Sequence, residues 1–355
     1  MMVRRTLQIA GVVAVLVGGW FIWLLWITGE YSRLEPHFDG SCVQVLGVVG
    51  AEDITIHPEG NVAYLSAHDR RAVDAGRPGH GGLYAYDLSV PVPRLRDLTP
   101  NAPPDFRPHG LSLLRRSDGP DRLFVINHAG GEQSIEIYDL TDERLIHRET
   151  IRDKALISPN DIVAVDQRRF YVTNDHGSPP GLRETLEDYL RLPLANVLYY
   201  DGKSFQLAAT GLRFANGINR SADGRRIYVA AMIDRALFVY DRDEASGALH
   251  EQQRIDLGTG VDNIELDERG RLWIGAHPKL LTLAKNAGDP SAPAPAQVIR
   301  VDLDAAGGPS VEEIFLDPGY RIAAATVAAV RDGRMLIGAV WDDRFLDCRL
   351  SPPPP

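Results

Sequence analysis

Short apolar segments recur along most of this chain, and each one follows a turn-forming segment. Gly, Asn, Asp and Pro favour turns, whereas Val, Ile, Tyr and Phe favour the extended strand that follows. Most copies are followed by a second apolar run, such as GGLYAYDL or RALFVYD. The pattern predicts short, mostly antiparallel strands, and six copies align: HPEGNVAYLSA, SDGPDRLFVINH, VDQRRFYVTNDH, SADGRRIYVAAM, DERGRLWIGAHP and RDGRMLIGAVWD.

The spacing of these copies indicates the architecture. They recur every roughly 45 to 63 residues, which is close to the length of a four-stranded propeller blade. The sequence therefore predicts an all-β fold, a six-bladed β-propeller that occupies residues 30–355.

A different hydrophobic segment precedes the repeats. Residues 7–28, LQIAGVVAVLVGGWFIWLLWIT, contain no charge and are long enough for a helix that crosses a membrane. Arg4 and Arg5 place the leading end in the cytoplasm by the positive-inside rule, so the propeller would be exported to the periplasmic or extracellular side. Because the cleavage signal is weak, we expect residues 1–29 to form an uncleaved signal anchor; a cleaved signal peptide is the alternative.

Export changes how the two cysteines are interpreted. Cys42 lies near the start of the exported part and Cys348 near its end. Two lone cysteines in an oxidising compartment most economically pair with each other, although two unpaired buried thiols are the alternative. The segment SCVQVLGVVG is able to complete the last blade, which ends in FLDCRL. We therefore expect a disulfide between these cysteines that closes the ring of blades.

Charge and motifs exclude several classes of function. The net charge of −10 argues against nucleic-acid binding, which needs clustered Lys and Arg to neutralise phosphates. The chain contains neither the G-x-S-x-G turn of serine hydrolases nor the H-E-x-x-H motif of zinc hydrolases.

Polar residues stand at equivalent places before the six turns. The first strand of each propeller blade lines the central channel, so residues at matching positions converge on the axis. One carboxylate or carboxamide at such a place is readily explained as a turn or strand-end cap. Four of the six strands begin with one, which predicts channel ligands; the six segments are EDI at 52–54, HGL at 109–111, NDI at 160–162, NGI at 216–218, DNI at 262–264 and TVA at 326–328.

Several Asp, Glu and Asn oxygens at one place suit a hard divalent cation. Calcium accepts six to eight oxygen ligands of mixed type, whereas zinc prefers His and Cys. The doubled pairs, such as Glu52 with Asp53, suggest two ions at different depths.

The repeats also resemble a known family, the serum paraoxonase/arylesterase family. The resemblance runs from Cys42 to Leu350 through long motifs in the same order, among them GAEDI, PHGLSLL, SPNDIVAV, FANGINRSADGRRIYVA and VDNIELDERGRLWIGAHP. It implies a six-bladed propeller with two calcium ions, which hydrolyses small-molecule lactones and, more promiscuously, aryl esters and some organophosphates.

The resemblance also implies roles for particular residues. His109 and His128 match the active-site histidine pair, and either they or a calcium-bound carboxylate, Asp262 or Glu52, would act as the base. Phe214 would line the substrate pocket, or else belong to the core. The catalytic calcium would be held by Glu52, Asn160, Asn216, Asp262 and Asn263, and a structural calcium by Asp53, Asp161 and the carbonyl of Leu111.

Other segments are assigned to the surface or to the rim of the site. We expect His57, His68, His80, His147, His250 and His277 to be solvated, whereas the resemblance places His176 near the structural ion. The insertion at 178–195 predicts a short amphipathic helix that either faces a membrane or packs on the propeller. The arginine-rich segment at 65–82, which departs from the family, either favours an acidic substrate or forms a solvated loop.

Two other functions remain open at this stage. A non-catalytic propeller would keep calcium for stability, but it would need neither histidine of the pair. A sugar lactonase of a related six-bladed fold is the other alternative, although the full set of motifs favours the paraoxonase-like family.

Overall fold

The computed structural model describes residues 2–79, 81–90, 92–141 and 144–351. His80 and the last four residues of the predicted propeller domain therefore lie outside the described part. Helix α1 (Met2–Ile27) comes first, and it is followed by β1 (His37–Phe38) and β2 (Gly40–Leu46).

The first three blades each contain four antiparallel strands. Blade 1 also contains the short helix α2 (Arg70–Asp74), and blade 3 contains helix α3 (Leu182–Tyr189). The strands are β3 (Ala51–Ile56), β4 (Val62–His68), β5 (Gly81–Asp87) and β6 (Leu95–Asp97) in blade 1; β7 (Pro108–Leu114), β8 (Arg122–Asn127), β9 (Ser134–Leu140) and β10 (Leu145–Ile151) in blade 2; and β11 (Pro159–Ala164), β12 (Phe170–Asn174), β13 (Ala195–Tyr200) and β14 (Phe205–Leu212) in blade 3.

The last three blades follow the same plan, with helix α4 (Leu280–Gly288) in blade 5. Strand β1 adds a fifth, outermost strand to blade 5, and β2 completes blade 6. The strands are β15 (Ala215–Arg220), β16 (Arg226–Ala231), β17 (Ala236–Arg242) and β18 (Leu249–Asp256) in blade 4; β19 (Gly260–Leu266), β20 (Leu272–His277), β21 (Ala296–Asp302) and β22 (Ser310–Asp317) in blade 5; and β23 (Ala325–Arg331), β24 (Arg334–Ala339) and β25 (Arg344–Leu350) in blade 6.

The core of the molecule lies between adjacent blades. One apolar cluster joins Tyr171 and Val197 of blade 3 to Ile218 and Val229 of blade 4. Because inner strands are covered on both faces, β12 and β20 are buried throughout, whereas the outer strand β18 is mostly exposed. The innermost strands also contact one another around the ring, which confirms the predicted six-bladed propeller.

The ring closes where the sequence predicts it. Strand β2 pairs antiparallel with β25, and Cys42 stands directly opposite Cys348. The two residues form a disulfide, which confirms the predicted pairing. Residues from both ends of the propeller are thereby held in one blade.

A bulge interrupts the start of each innermost strand. The register of β15 on β16 shifts between Ala215 and Ile218, and that of β19 on β20 shifts between Val261 and Ile264. Equivalent shifts occur in β3, β7, β11 and β23. A bulge adds a residue to one strand and redirects its side chains. The polar pairs that the sequence singles out lie at these bulges.

Gly217 shows why small residues accompany the polar ones. A Cβ atom at this position would lie 2.4 Å from the carbonyl oxygen of Asp262 and 2.6 Å from the Cα atom of Asn263. The bulge of blade 4 therefore fits against that of blade 5 only without a side chain at residue 217.

Candidate active site in the central channel

Five side-chain oxygens at the inner-strand bulges are buried and have no hydrogen-bond partner among the described residues. Unsatisfied buried acceptors are rare, because each costs about 1–3 kcal/mol of desolvation. We call this set the five-oxygen cluster; it consists of Glu52 Oε2, Asn160 Oδ1, Asn216 Oδ1, Asp262 Oδ1 and Asn263 Oδ1. These are the five residues for which the sequence predicts a role at the catalytic ion.

Hydrogen bonds hold the other polar atoms of several of these side chains. Asn263 Nδ2 donates to Glu52 Oε1 at 2.8 Å, and Asn160 Nδ2 donates to Asp175 Oδ2 at 2.9 Å. His277 Nε2 lies 2.7 Å from Asp262 Oδ2. One polar atom of each of these side chains is fixed in this way. The oxygen that belongs to the five-oxygen cluster is thereby held in place without a hydrogen bond of its own.

The donor types of the five-oxygen cluster fit calcium. Two carboxylates and three carboxamides offer only oxygen, the donor that this ion prefers. Within the described residues, no group of three or more His, Cys, Asp or Glu side chains that could hold a metal is found. Three of the five donors are carboxamide oxygens, which suit calcium rather than zinc.

Two further carboxylates lie close to this cluster. Asp53 Oδ2 accepts a hydrogen bond from the Leu111 N–H at 2.7 Å, and Asp161 Oδ2 accepts one from the Ile218 N–H, also at 2.7 Å. Both carboxylates and Leu111 line a cavity of 310 Å³. The three residues predicted for the structural ion are therefore brought together.

Burial and mutual repulsion perturb these acids. Burial, together with the negative charge of Glu52, raises the pKa of Asp53 well above its usual value. Burial and the charge of Asp53 likewise raise the pKa of Asp161. Burial also raises the pKa of Asp262, although His277 opposes this effect. Such a set of carboxylates needs a cation before all of its members can ionise.

The predicted histidine pair lies beside Glu52. His109 Nδ1 is 2.8 Å from His128 Nε2, and His109 Nε2 is 3.5 Å from Glu52 Oε2. His128 Nδ1 contacts Gln133 Oε1. Because that oxygen is only an acceptor, His128 Nδ1 carries a hydrogen and His128 Nε2 accepts from His109. His109 Nε2, the ring nitrogen that does not contact His128, faces the five-oxygen cluster.

Charge and burial keep the second histidine of the pair neutral. Burial, followed by the positive charge of His109, lowers the pKa of His128 to about 3. The pKa of Glu52 is also lowered: burial would raise it, but His109 and Arg70 outweigh that effect. Glu52 is therefore ionised while His128 is not.

Phe214 lies at the edge of the site in a strained conformation. Its φ of 59° is in the left-handed region, and its ring contacts that of His176 at 4.9 Å between centroids. A bulky residue keeps this conformation only where its surroundings enforce it. Phe214 also lines an apolar cavity of 260 Å³ with Leu24, Tyr189, Met232 and Trp341, among others.

Two histidines predicted to be solvated are buried instead. His277 is 2 % exposed and contacts Asp262, so the prediction from its position before proline was wrong. His68 is 6 % exposed at the end of β4, and burial lowers its pKa to about 3. The sequence did contain a signal for both residues. Each ends the second strand of its blade, and His128 directly follows the second strand of blade 2. His147 and His250 lie at the surface as predicted, whereas the side chain of His57 is 17 % exposed and contacts Asp121.

His176 connects the inserted helix to the five-oxygen cluster. Burial would lower its pKa, but hydrogen bonds to Asp175 and Asp188 raise it to about 10. Asp175 in turn accepts from Asn160. The resemblance places His176 near the structural ion, whereas its contacts lead to Asn160.

The inserted helix has an unusual orientation. Its formation over Leu182–Tyr189 confirms the predicted helix. Glu187 is buried and accepts from the N–H groups of Gly177 and Ser178, whereas Leu182 and Leu186 are 76 % and 45 % exposed. Its polar side faces the propeller, so the alternative in which its apolar side packs there is wrong.

Comparisons with known proteins show which proteins this chain is similar to. A family model described as Arylesterase matches residues 40–350. Serum paraoxonase/arylesterase 1 of Homo sapiens is 33% identical over 327 residues, which cover 90% of this chain and 91% of the relative. Serum paraoxonase/arylesterase 2 of Gallus gallus is 34% identical over 329 residues, with 90% and 91% covered.

Solved structures resemble the chain in fold. A luciferin-regenerating enzyme superposes with a TM-score of 0.55 at 13% identity, covering 87% of this chain and 95% of that one. A putative gluconolactonase superposes with a TM-score of 0.54 at 15% identity, covering 87% and 92%. At this identity the likeness extends to the propeller fold alone.

The buried acids predict how the stability of the metal-free protein depends on pH. Because the pKa values of Asp53 and Asp161 are raised in the folded state, their contribution is fully present below about pH 4, the usual Asp pKa, and is lost as pH rises through the raised values. With a chelator present, the melting temperature should therefore fall from pH 5 to pH 8. Added calcium should reverse the fall.

Variants identify the groups responsible for the pH dependence of the melting temperature. Asp53→Asn with Asp161→Asn should flatten the pH dependence, whereas Asp332→Asn, at a side chain 78% exposed, should leave it as it is. A melting temperature that stays constant or rises with pH in chelator would contradict the assignment.

Proposed function

Because this chain belongs to the arylesterase family, we propose that it is a calcium-dependent hydrolase that opens lactones and also cleaves aryl esters. The five-oxygen cluster carries the proposal, since its buried acceptors have no other partner in the described chain. Glu52, Asn160, Asn216, Asp262 and Asn263 would hold the catalytic ion. Asp53, Asp161 and Leu111 would hold a second, structural ion.

The chemistry divides between the ion and the protein. When bound, calcium would act as a Lewis acid that polarises the lactone carbonyl and balances the charge that develops on its oxygen. His109 Nε2 would take a proton from the attacking water, because it is the ring nitrogen left free by the contact with His128. His128 orients His109, and His277 orients Asp262. Phe214 would close the apolar side of the substrate pocket.

His109 is favoured over the carboxylates as the base. Glu52 has a lowered pKa, so it is a weak proton acceptor. Asp262 already accepts a hydrogen bond from His277 and is itself a predicted ligand of the ion. His109 Nε2 is not a predicted ligand of the ion, and the contact of His109 Nδ1 with His128 orients it.

The N-terminal helix and α3 support attachment to a membrane. Residues Arg5–Ile27 have a mean hydropathy of 2.2 and are largely unburied, which suits either a membrane span or a signal sequence. Glu30 accepts hydrogen bonds from the Leu281 and Thr282 N–H groups at the start of α4, so the end of α1 is fixed to the propeller. The apolar side chains of α3 are exposed near the apolar cavity of 260 Å³ that Phe214 and Leu24 line. We propose an uncleaved anchor with the propeller on the extracytoplasmic side.

The anchor predicts firm attachment of the intact chain. The full-length protein should stay in the membrane pellet after alkaline carbonate extraction, and its intact mass should include the N-terminal residues. A variant with Leu16→Arg and Val17→Arg should be released, because charges at the centre of the span are costly. Release of the unaltered chain, or loss of its first residues, would count against an uncleaved anchor.

The ion site predicts metal-dependent turnover. The full-length protein in detergent, given lactones of increasing acyl length and phenyl acetate, should hydrolyse them with calcium and stop with excess chelator. Asn216→Ala or Asp262→Ala should lower kcat/KM at least about a hundredfold, the usual effect of losing one stabiliser of the transition-state charge. The exposed Asn101→Ala is the matched control. Stable, calcium-loaded protein without turnover would indicate a binding propeller instead.

The base assignment has its own test. His109→Gln should lower lactone kcat by about 10²- to 10⁴-fold, the range for loss of a general base. His147→Gln, at a side chain 48% exposed, should keep the kcat of the unaltered protein. A small effect of His109→Gln would move the role to a carboxylate.

A further inference from the structure

Arg70 is a charged side chain at the channel that none of the roles above uses. It lies at the start of α2, directly after β4. Its side chain is 16% exposed, and its Nη2 atom is 4.0 Å from Glu52 Oε2. Arg70 therefore reaches the edge of the five-oxygen cluster, which corrects the alternative that its segment is a solvated loop.

The guanidinium of Arg70 has donors to spare. Nη2 is buried and makes no hydrogen bond within the described chain, and Nη1 makes only a 3.5 Å contact with the Val340 carbonyl. Arginine stays protonated in proteins, so these donors cannot be removed by loss of a proton. A buried cation with a free donor needs an anionic partner.

Its neighbours hold Arg70 in this place. Asp69 caps α2 by accepting from the Ala72 N–H at 2.9 Å. Arg71 donates to the Asn286 carbonyl at 2.7 Å and lies over the Trp341 ring at 5.4 Å. These contacts fix α2 to α4 and to the loop that follows β24 in blade 6. The position of Arg70 therefore does not depend on Glu52 alone.

When the ion is bound, Glu52, which lies 4.0 Å from Arg70, would be engaged by the ion. Glu52 and Asp262 are the two carboxylates of the five-oxygen cluster, and together they balance one divalent cation. His128 is neutral, and the nearest acid on its own helix, Asp74, is exposed to solvent. The positive charge of Arg70 therefore remains available to an anionic group of a molecule that enters the channel.

We propose that Arg70 binds a carboxylate of the substrate, so that the enzyme prefers lactones that carry a carboxylate substituent over neutral ones. The inference rests on the proposed lactone hydrolysis and adds the class of lactone. A guanidinium presents two parallel donors that match the two oxygens of a carboxylate. In the reaction, water adds to the ring carbonyl, the ring C–O bond breaks, and the products are a second carboxylate, a hydroxyl group and a proton.

A pair of nearly isosteric lactones tests the preference. The full-length protein in detergent with calcium is given 5-oxotetrahydrofuran-2-carboxylate and the corresponding 2-carboxamide. In Arg70→Gln the ratio of kcat/KM for the charged over the neutral lactone should fall about tenfold or more, chiefly through KM, as expected for loss of a charge-assisted hydrogen bond. Arg77→Gln, at an exposed side chain, should keep the ratio of the unaltered protein, and Arg70→Lys should keep part of the preference.

The outcomes separate this proposal from a general role of Arg70. An equal loss for both lactones would mean that Arg70 serves the ion or the oxyanion, and an unchanged ratio would mean that it contacts no substrate carboxylate. Either result overturns the proposal. If Arg70→Gln does not fold, Arg70→Lys replaces it, because lysine keeps the charge without the planar fork. A lower ratio of kcat/KM for the charged over the neutral lactone then supports the proposal, and an unchanged ratio overturns it.

A binding measurement keeps the test independent of turnover. Calorimetry with 2-hydroxyglutarate on the calcium-loaded protein should show binding that weakens about tenfold or more in Arg70→Gln and persists in Arg77→Gln, at an exposed side chain. If neither lactone is hydrolysed, the proposed hydrolysis fails, but loss of this binding in Arg70→Gln still supports the anion site. Absent binding, or equal binding by both variants, overturns it.

Discussion

The central channel depends on buried oxygen atoms that the chain itself does not satisfy. A folded protein normally pairs such atoms, because desolvation without a hydrogen bond opposes folding. Here the surrounding hydrogen bonds hold one atom of Glu52, Asn160, Asp262 and Asn263 and leave the other free. The proposed ion would satisfy these oxygens, so its binding would couple formation of the site to the stability of the propeller.

The bulges explain how six similar blades produce one asymmetric site. The bulges redirect side chains at the start of the inner strands, and the identity of those residues then decides the chemistry. Gly217 leaves room for the neighbouring strand, whereas Asp53 and Asp161 accept backbone N–H groups from the next blade. The same local irregularity thus provides ligands at some blades and close packing at others.

The fold and the positions of the polar residues in the channel could be predicted from the sequence, because both follow from a repeat, whereas the histidine pair is assigned through the family resemblance. Strand pattern, spacing and the position of polar pairs recur in each blade, so Asn216 could be recognised from its equivalents. Arg70 could not, since its burial depends on how the segment after β4 folds, and a polar loop looks alike whether it is solvated or folded over a site. Helix α2 is the example: Arg71 fixes it through α4, a contact between segments more than 200 residues apart.

The orientation of α3 follows from the same demand for polar partners. A helix on a soluble protein usually turns its apolar side inward, yet Glu187 and Asp188 face the propeller here. The reason lies in the loop beneath it: the N–H groups of Gly177 and Ser178 need acceptors, and the imidazolium of His176 needs a second carboxylate besides Asp175. Asp175 also accepts a hydrogen bond from Asn160. The hydrogen bonds that support the five-oxygen cluster therefore draw the polar side of α3 inward. The apolar surface near the channel is therefore a consequence of how the site is built.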